Sequence, residues 1–415
     1  MIFSDKLLSL AKEAEKALQD KFEQFDNTSF INTQKVLDAF REERVAEAMF
    51  AGSSGYGYDD KGRDTLDKIY AKVFNKEAAL VRHTIISGTH ALSTGLFGLL
   101  RPGDVMLSVT GKPYDTLDEV IGIKDDGENN GSLKDFGIIY KQIELTGEGK
   151  IDIAKVVETL RSEKIKVVYV QRSKGYLDRP TLSVDEMNEL YREVKNVSDA
   201  YVFIDNCYGE FVEDREPDAD VLAGSLIKNP GGGMAETGGY LAGSAKAIEL
   251  ISYRLTSVGI GSEAGCTLNT MKSMYKGFFY APHTVAQALK TAAFAAYVFE
   301  KLGYYTNPKW NDDRYDIIQA IHMLQGDKLC AFCQGIQSGS PVDAFVTPEP
   351  WDMPGYSDAV IMAAGTFTQG ASIELSADGP MKHPFIAYFQ GGLTYESGKV
   401  GILCAAAKVL GEDLF

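Results

Sequence analysis

The sequence has few cysteines, no long apolar run and no cluster of basic residues. Its 415 residues include five cysteines, which are too few and odd in number for a disulfide framework, so a reduced, cytoplasmic setting fits best. No apolar run approaches the roughly 18 residues of a membrane span. The N-terminal segment interleaves charged and apolar residues at helical spacing, which is unlike a signal peptide. We therefore expect a cytoplasmic protein that does not insert into membranes.

Positive charge and histidine are also scarce. The 42 Lys and Arg residues are outnumbered by 58 Asp and Glu residues, and a net charge of −16 argues against nucleic acid as a partner. The five histidines show no metal-ligand spacing, and the lone pair Cys330 and Cys333 is more typical of helix packing than of a zinc site. We expect no metal centre.

The apolar and charged fractions, 45% and 24%, are ordinary for a globular protein, and the length favours two domains. We expect a helical arm and a Gly/Tyr-rich loop over 1–63, a large α/β domain over 64–275 and a smaller α+β domain over 276–415. The predicted strands are 79–84, 105–108, 137–145, 166–171, 201–204, 219–223, 344–347, 359–364, 372–375 and 385–389. The predicted helices of the two domains are 89–100, 151–161, one through Met187–Val194, 283–302 and 399–410. Strands that alternate with helices predict a mostly parallel sheet.

Hydroxyl residues and a glycine stand at the start of a predicted helix, in Ser87-Gly88-Thr89. Free backbone N–H groups and the helix dipole make such a position favourable for an anion, commonly a phosphate. The alternative is an ordinary helix cap made by the Ser or Thr hydroxyl.

Asp205 directly follows a predicted buried strand, and Lys228 lies in a glycine-rich loop shortly after Ser225. A carboxylate at a buried strand end favours a cationic partner, although it can equally form a cap or a structural ion pair. A lysine that loses hydration lowers its pKa and becomes a nucleophile for carbonyls; the alternative is an exposed loop lysine. Tyr114 follows another strand and could stack on a flat ligand or cover the core edge. Together, these residues are the parts needed to hold pyridoxal phosphate (PLP).

The motifs SGTHAL, KPYDT, FIDNCYGEF and GSLIKNPGGG occur in that order. This order resembles the fold-type I PLP enzymes with their aminotransferase-like α/β fold. It is most similar to the cystathionine lyase/methionine γ-lyase branch, and within it to the aluminium-resistance subgroup. The resemblance implies a homodimer or homotetramer with shared active sites.

The resemblance also implies roles for individual residues. Lys228 would hold PLP covalently and act as the general base, with Tyr114 as the catalytic-site ring stacked on PLP and Asp205 as the partner of the pyridine nitrogen. Ser87, Gly88, Thr89 and Ser225 would surround the phosphate. Tyr56 matches a family tyrosine that reaches a neighbour's phosphate site; the family arginine two residues on is Tyr58 here, so Arg63 is the substitute.

The family usually binds the substrate carboxylate with an arginine of the C-terminal domain. No arginine occurs after Arg314, so Arg172, or another donor such as Lys382, is the candidate here. The predicted activity is a PLP-dependent carbon–sulfur lyase that acts on a sulfur-containing amino acid by β- or γ-elimination. Two alternatives remain open: an aminotransferase or aldolase-type PLP enzyme, and a PLP-fold protein with a non-catalytic stress-response role.

Overall fold

The computed structural model describes residues 3–124, 129–353 and 358–412. The helices are α1 (Asp5–Ala17), α2 (Gln19–Glu42), α3 (Lys61–Val73), α4 (Gly88–Leu99), α5 (Asp118–Ile121), α6 (Ile153–Ser162), α7 (Val184–Val197), α8 (Ala245–Leu255), α9 (Met271–Lys301), α10 (Gly326–Ser338) and α11 (Tyr395–Leu410). The strands are β1 (Ala78–Arg82), β2 (Val105–Ser108), β3 (Ile139–Gln142), β4 (Val167–Gln171), β5 (Tyr201–Asp205), β6 (Val221–Ser225), β7 (Gly239–Gly243), β8 (Tyr305–Asn307), β9 (Gln319–His322), β10 (Val360–Ala363), β11 (Leu375–Pro380) and β12 (Ile386–Gly391). Within these stretches, no helix combines the length and apolarity that crossing a lipid bilayer requires.

Seven strands form the larger sheet in the order β1-β7-β6-β5-β4-β2-β3. The strands from β3 to β6 in this order pair in parallel, whereas β7 runs antiparallel to both β6 and β1. Successive residues of β5 enter different cores: Phe203 belongs to the cluster under α4 and α8, and Val202 and Ile204 to the cluster on the other face. Both faces are therefore covered, and the predicted mostly parallel sheet is confirmed.

The carboxyl ends of the central strands lie side by side. Gln171, the last residue of β4, pairs with Asp205, the last residue of β5, and Asp205 pairs with Ala223 of β6. Strand β6 begins and ends two residues later than predicted, so Ser225 is its last residue. Ligands of open α/β sheets bind at this edge.

The smaller sheet is antiparallel throughout, in the order β10-β11-β12-β9-β8, which confirms the smaller α+β part of the fold. The strand predicted over 344–347 is wrong. The backbone there closes a turn, in which the Val346 N–H donates to the Asp343 carbonyl at 2.9 Å, and Phe345 is 87% exposed. An apolar run without a neighbouring strand does not form a ladder.

Helix α9 connects the two sheets and begins twelve residues before the predicted start at 283. Pro282 lies inside the helix, where a proline usually signals a boundary. Gly277 lets α9 approach the loop after β6: a Cβ atom at Gly277 would lie 2.3 Å from the Gly231 carbonyl oxygen. Thr284 Oγ1 also donates to the Gly232 carbonyl at 3.2 Å, so α9 supports the loop that carries Lys228.

The N-terminal helices of the predicted arm pack on this chain's own α9. Asp26 pairs with Lys290 of α9 at 2.7 Å, and the Asn32 side chain donates to the carbonyls of Phe211 and Glu213 at 3.3 and 2.9 Å. The predicted boundaries after residues 63 and 275 fall within α3 and α9. The three-part domain division stays a prediction.

Candidate active site

Several predicted site residues meet at the carboxyl edge of the larger sheet. From the position that a Cβ atom on Gly88 would take, Cys207 Sγ lies 3.1 Å away, Ser225 Cβ 3.7 Å and Lys228 Nζ 3.9 Å. Asp205 and Lys228 line the same pocket. The structure therefore brings the start of α4, the end of β5 and the loop after β6 together, as ligand sites in open α/β sheets require. A larger residue at position 88 would fill the space between them.

Lys228 is partly buried, and its Nζ lies 4.0 Å from the centroid of the Tyr208 ring. Burial lowers the pKa of the ammonium group, but the acidic groups of Cys207 and Tyr208, then those of Asp205 and Glu210, outweigh it. The net direction of the pKa is upward. The expectation of a lowered pKa is therefore wrong, because the sequence did not show how many acidic groups surround the amine.

Asp205 is a buried carboxylate, 6% exposed, at the end of β5. Its Oδ1 accepts the backbone N–H of Cys207 at 3.1 Å. Burial raises the pKa of Asp205, and the positive charge of Lys228 opposes that rise. Because a buried carboxylate is stabilised by a cationic partner, this position suits a protonated ring nitrogen.

The start of α4 offers a cradle for an anion. Ser87 Oγ accepts a hydrogen bond from the backbone N–H of His90 at 3.1 Å, so Ser87 does cap helix α4. Thr89 Oγ1 lies 2.8 Å from Thr116 Oγ1. Ser225 Oγ is buried and makes no hydrogen bond. A free buried hydroxyl beside a helix N-terminus is an arrangement that a phosphate group satisfies, so these residues fit PLP.

Tyr114 lies on the loop after β2 and borders the same space. A Cβ atom on Gly175 would lie 3.1 Å from Tyr114 Cδ2, and Gly175 has a φ of +56°, so a glycine is needed for this close contact. The ring centroids of Tyr114 and Tyr176 are 6.0 Å apart. An aromatic face at the pocket wall is suited to stacking on a flat ligand.

Two adjoining pockets open around these residues, and we call them the inner and the outer pocket. The inner pocket is lined by Lys228 and Asp205. The outer pocket is lined by the lysines Lys112, Lys174 and Lys382. The two pockets share Tyr114, Gln171 and Tyr176. The two pockets are therefore neighbours along these shared residues.

Sequence reasoning missed the residues that the smaller sheet contributes to the inner pocket, which are Asp378, Tyr388 and Gln390. Burial raises the pKa of Asp378 to about 6, opposed by hydrogen bonds from Tyr176 and Gln390. The predicted strand 385–389 ends one residue before Gln390. The polar Gln390 next to this otherwise apolar strand was the signal that could have indicated a residue of the pocket.

Arg172 does not fit the role predicted for it. It follows β4 and is fully buried, and its guanidinium donates to Asn206 at 2.9 Å, to Glu216 at 3.3 Å and to Glu213 at 2.8 Å. Both terminal nitrogens are therefore committed to the segment after β5. This geometry does not favour the assignment of Arg172 to the substrate carboxylate, because only Nε lacks a hydrogen-bond partner and it is buried.

The Arg172→Met variant is expected to lose stability. Glu213 and Glu216 would lose their buried counter-charge, which costs about 3 kcal/mol of unfolding free energy. The KM for any substrate should change little. Urea denaturation and steady-state kinetics measure the two effects. Unchanged stability with a tenfold higher KM would restore Arg172 to the substrate site.

Arg63 likewise does not fit a phosphate of a neighbouring subunit. It is 1% exposed, and Nη1 donates to the carbonyls of Gly57 and Gly265 at 2.7 and 2.9 Å, while Nε pairs with Asp64 at 2.9 Å. The guanidinium thus holds the Gly/Tyr-rich loop against its own chain. Tyr56, 76% exposed, remains accessible, and its role toward a second copy stays a prediction.

The mostly parallel sheet, the lysine loop and the buried aspartate together define the class of fold-type I PLP-dependent enzymes. The fold alone is shared with the PLP-dependent protein YhfS from Escherichia coli, at 14% identity and a TM-score of 0.62, over 93% of this chain and 97% of that one. The family model of methionine gamma-lyase matches residues 7–410, and the chain belongs to this family. Its membership implies pyridoxal phosphate as cofactor.

Closer relatives cover nearly the whole chain. The protein YnbB of Bacillus subtilis (strain 168) is 54% identical over 412 residues, which are 98% of this chain and 97% of the relative. A crystal structure from Clostridium novyi NT is similar at 50% identity and a TM-score of 0.94, covering 98% of this chain and 96% of that one. The Clostridium novyi protein is described as a carbon-sulfur lyase involved in aluminum resistance.

Proposed function

We propose that the protein uses PLP to remove a sulfur-containing leaving group from an amino acid by β- or γ-elimination. Its family and the description of the Clostridium novyi relative support carbon–sulfur lyase chemistry. The observation that carries the proposal is the grouping of Lys228 and Asp205 in one pocket beside the Gly88 cradle.

Different residues of the site would contact different parts of PLP. Asp205 would meet the pyridine nitrogen, and Tyr114 would cover the ring. Lys228 would bind the cofactor covalently. Four residues would surround the phosphate: Ser87, Gly88, Thr89 and Ser225. When bound, PLP supplies an electron sink for the negative charge that develops on the substrate Cα.

Lys228 would be the residue that moves protons. In its neutral form, its amine would take the Cα proton of the substrate, and the resulting ammonium would lie over the Tyr208 ring, where Nζ is already 4.0 Å from the centroid. The carboxylate of Asp205 would stabilise that ammonium. Elimination then releases a thiol, and hydrolysis of the remaining enamine or imine gives a keto acid and ammonia.

The substrate carboxylate needs a cation outside the inner pocket, because Lys228 is the one basic residue among the described residues that line it. Lys174 lines the outer pocket, and its Nζ donates to the Asn307 carbonyl at 2.8 Å. Lys382 lines it too, paired with Asp358 at 3.3 Å and 61% exposed. We assign the carboxylate to Lys174, because its ammonium is buried and donates to a neutral carbonyl, whereas Lys382 is exposed and already paired with an anion.

This assignment predicts a pH dependence. Burial lowers the pKa of Lys174 to about 8, with Asp316 opposing the shift. Lys174 is therefore charged below pH 8 and neutral above it, and KM should rise about tenfold between pH 7 and 9 as the charged fraction falls. Steady-state kinetics of wild type and Lys174→Met test this. In the variant KM should be high and nearly flat across this range; an unchanged KM would contradict the assignment.

The proposed function is tested by incubating cofactor-loaded protein with cystathionine and methionine and measuring thiol, keto acid and ammonia. Release of all three, absent in Lys228→Ala, is the expected result. The second candidate is an aminotransferase or aldolase-type PLP enzyme. Transfer of the amino group to a keto acid without thiol release would support that candidate. PLP binding without any turnover would support a non-catalytic role.

A further inference from the structure

The smaller sheet presents an incompletely paired carboxylate to the inner pocket. Asp378 of β11 is 9% exposed and lines this pocket together with Lys228 and Asp205. Its carboxylate accepts hydrogen bonds from Tyr176 and from the Gln390 side-chain amide, the latter on Oδ2 at 3.3 Å. Its Oδ1 is buried and has no hydrogen-bond partner. One carboxylate oxygen of a residue that lines the pocket therefore lacks a donor.

A second acceptor in the same pocket is also unpaired. The Gln171 Nε2 donates to the Ser173 carbonyl at 3.1 Å, which fixes the orientation of the amide, and the Gln171 Oε1 is buried without a partner. Buried acceptors without donors are costly, and a ligand that supplies donors removes that cost. These two buried acceptors thus require N–H or O–H donors, not an apolar group.

We infer, on the basis of the proposed function, that Asp378 selects amino-acid substrates whose side chain carries an ammonium group, with Gln171 accepting a second hydrogen bond from it. A plain thioether side chain would leave both oxygens buried without donors. An ammonium group satisfies both and neutralises the carboxylate, and hydrogen bonds between charged groups are the stronger kind.

The surroundings of Asp378 define the pH range in which it can do this. The titratable groups that face it are Lys228, Tyr176, Tyr388 and Cys333. With a pKa of about 6, the carboxyl group is ionised at neutral pH and becomes neutral as the pH falls below that value. The selectivity for a cationic side chain should therefore be present at pH 7.5 and weaken by pH 5.

Matched ligand pairs of equal length test the inference on the cofactor-loaded, full-length protein. The first experiment compares kcat/KM for S-(2-aminoethyl)-L-cysteine and S-propyl-L-cysteine. The second compares the calorimetric binding of L-ornithine and L-norleucine, which lack sulfur. We expect the cationic member of each pair to be favoured about tenfold or more, the usual effect of a buried charged hydrogen bond. The Asp378→Asn variant should lose this preference, and the exposed-site control Asp313→Asn should retain it.

The results separate this inference from the proposed function. If no sulfur amino acid is cleaved, the lyase proposal fails, whereas the ornithine and norleucine pair still measures the selectivity. If wild-type protein binds norleucine as tightly as ornithine, or if Asp378→Asn keeps the preference, the inference is overturned. Should the variant not fold, the pH series on wild type decides: a preference unchanged between pH 7.5 and 5 overturns the role of Asp378.

Discussion

Replacing Lys228 with alanine is expected to lower turnover by at least about a thousandfold, because the site loses both its covalent anchor and its general base. Among the described residues of the inner pocket, no other lysine is available to take over. The visible absorption band of the cofactor-loaded protein should disappear after dialysis, since the remaining contacts to PLP are noncovalent. Steady-state kinetics and the visible spectrum measure the two effects.

The fold should survive this change. Removal of the Lys228 ammonium leaves Asp205 and Glu210 without this cation, but burial already raises the pKa of both carboxyl groups, that of Glu210 to about 8, so they can take up a proton instead of remaining as unpaired charges. Lys246→Ala, which removes an exposed lysine of α8, is the matched control and should keep both spectrum and turnover. A Lys228→Ala protein with a normal melting temperature and near-normal turnover would exclude the PLP mechanism.

The parts of the site that sequence reasoning could predict share a physical cause. Gly88, Asp205 and Lys228 each follow a strand or begin a helix, and parallel strands bring such positions to one edge. The resemblance to fold-type I PLP enzymes suggested roles for these three residues, and the structure shows that they lie close together. Asp378 and Gln390 could not be found in this way, since they lie inside strands of a second sheet whose packing against the first is purely tertiary.

Arg172 shows the opposite limitation. An arginine at a strand end is a reasonable anion ligand in sequence, but Glu213 and Glu216, more than forty residues away, reach its guanidinium first. Sequence spacing does not reveal such long-range ion pairs. Charged residues in this protein are therefore assigned reliably only where the surrounding structure shows which of their atoms remain unpaired.

The fold was predictable where periodicity was strong and less so where local composition was ambiguous. Strands β4 and β5 are β-branched and apolar, and their predicted and observed limits agree within one residue. Strand β7 has the sequence Gly-Tyr-Leu-Ala-Gly, whose glycines weaken a strand signal although both neighbours pair with it. The helix predicted to begin at 283 is continuous from Met271, with Pro282 inside it.

The second large effect is expected for Asp205→Asn. The amide keeps the shape of the carboxylate but removes the charge that would hold the pyridine nitrogen of PLP in its protonated form. An opposite charge at contact distance shifts a pKa by about 1 to 3 units, so turnover should fall about a hundredfold. Affinity for PLP should also fall, measured by titrating the cofactor into the cofactor-free variant.

The Asp205→Asn change should lower turnover and PLP affinity without lowering the stability of the cofactor-free protein. Burial raises the pKa of Asp205, so its ionised form is disfavoured in the folded chain and contributes no stability at neutral pH. The melting temperature of cofactor-free Asp205→Asn should therefore equal or exceed that of wild type, whereas added PLP should raise it less. Asp214→Asn, at an exposed ion pair with Arg215, should leave PLP affinity unchanged. If Asp205→Asn instead binds PLP normally and turns over at the wild-type rate, the pyridine nitrogen must bind elsewhere, because an uncharged amide cannot favour its protonation.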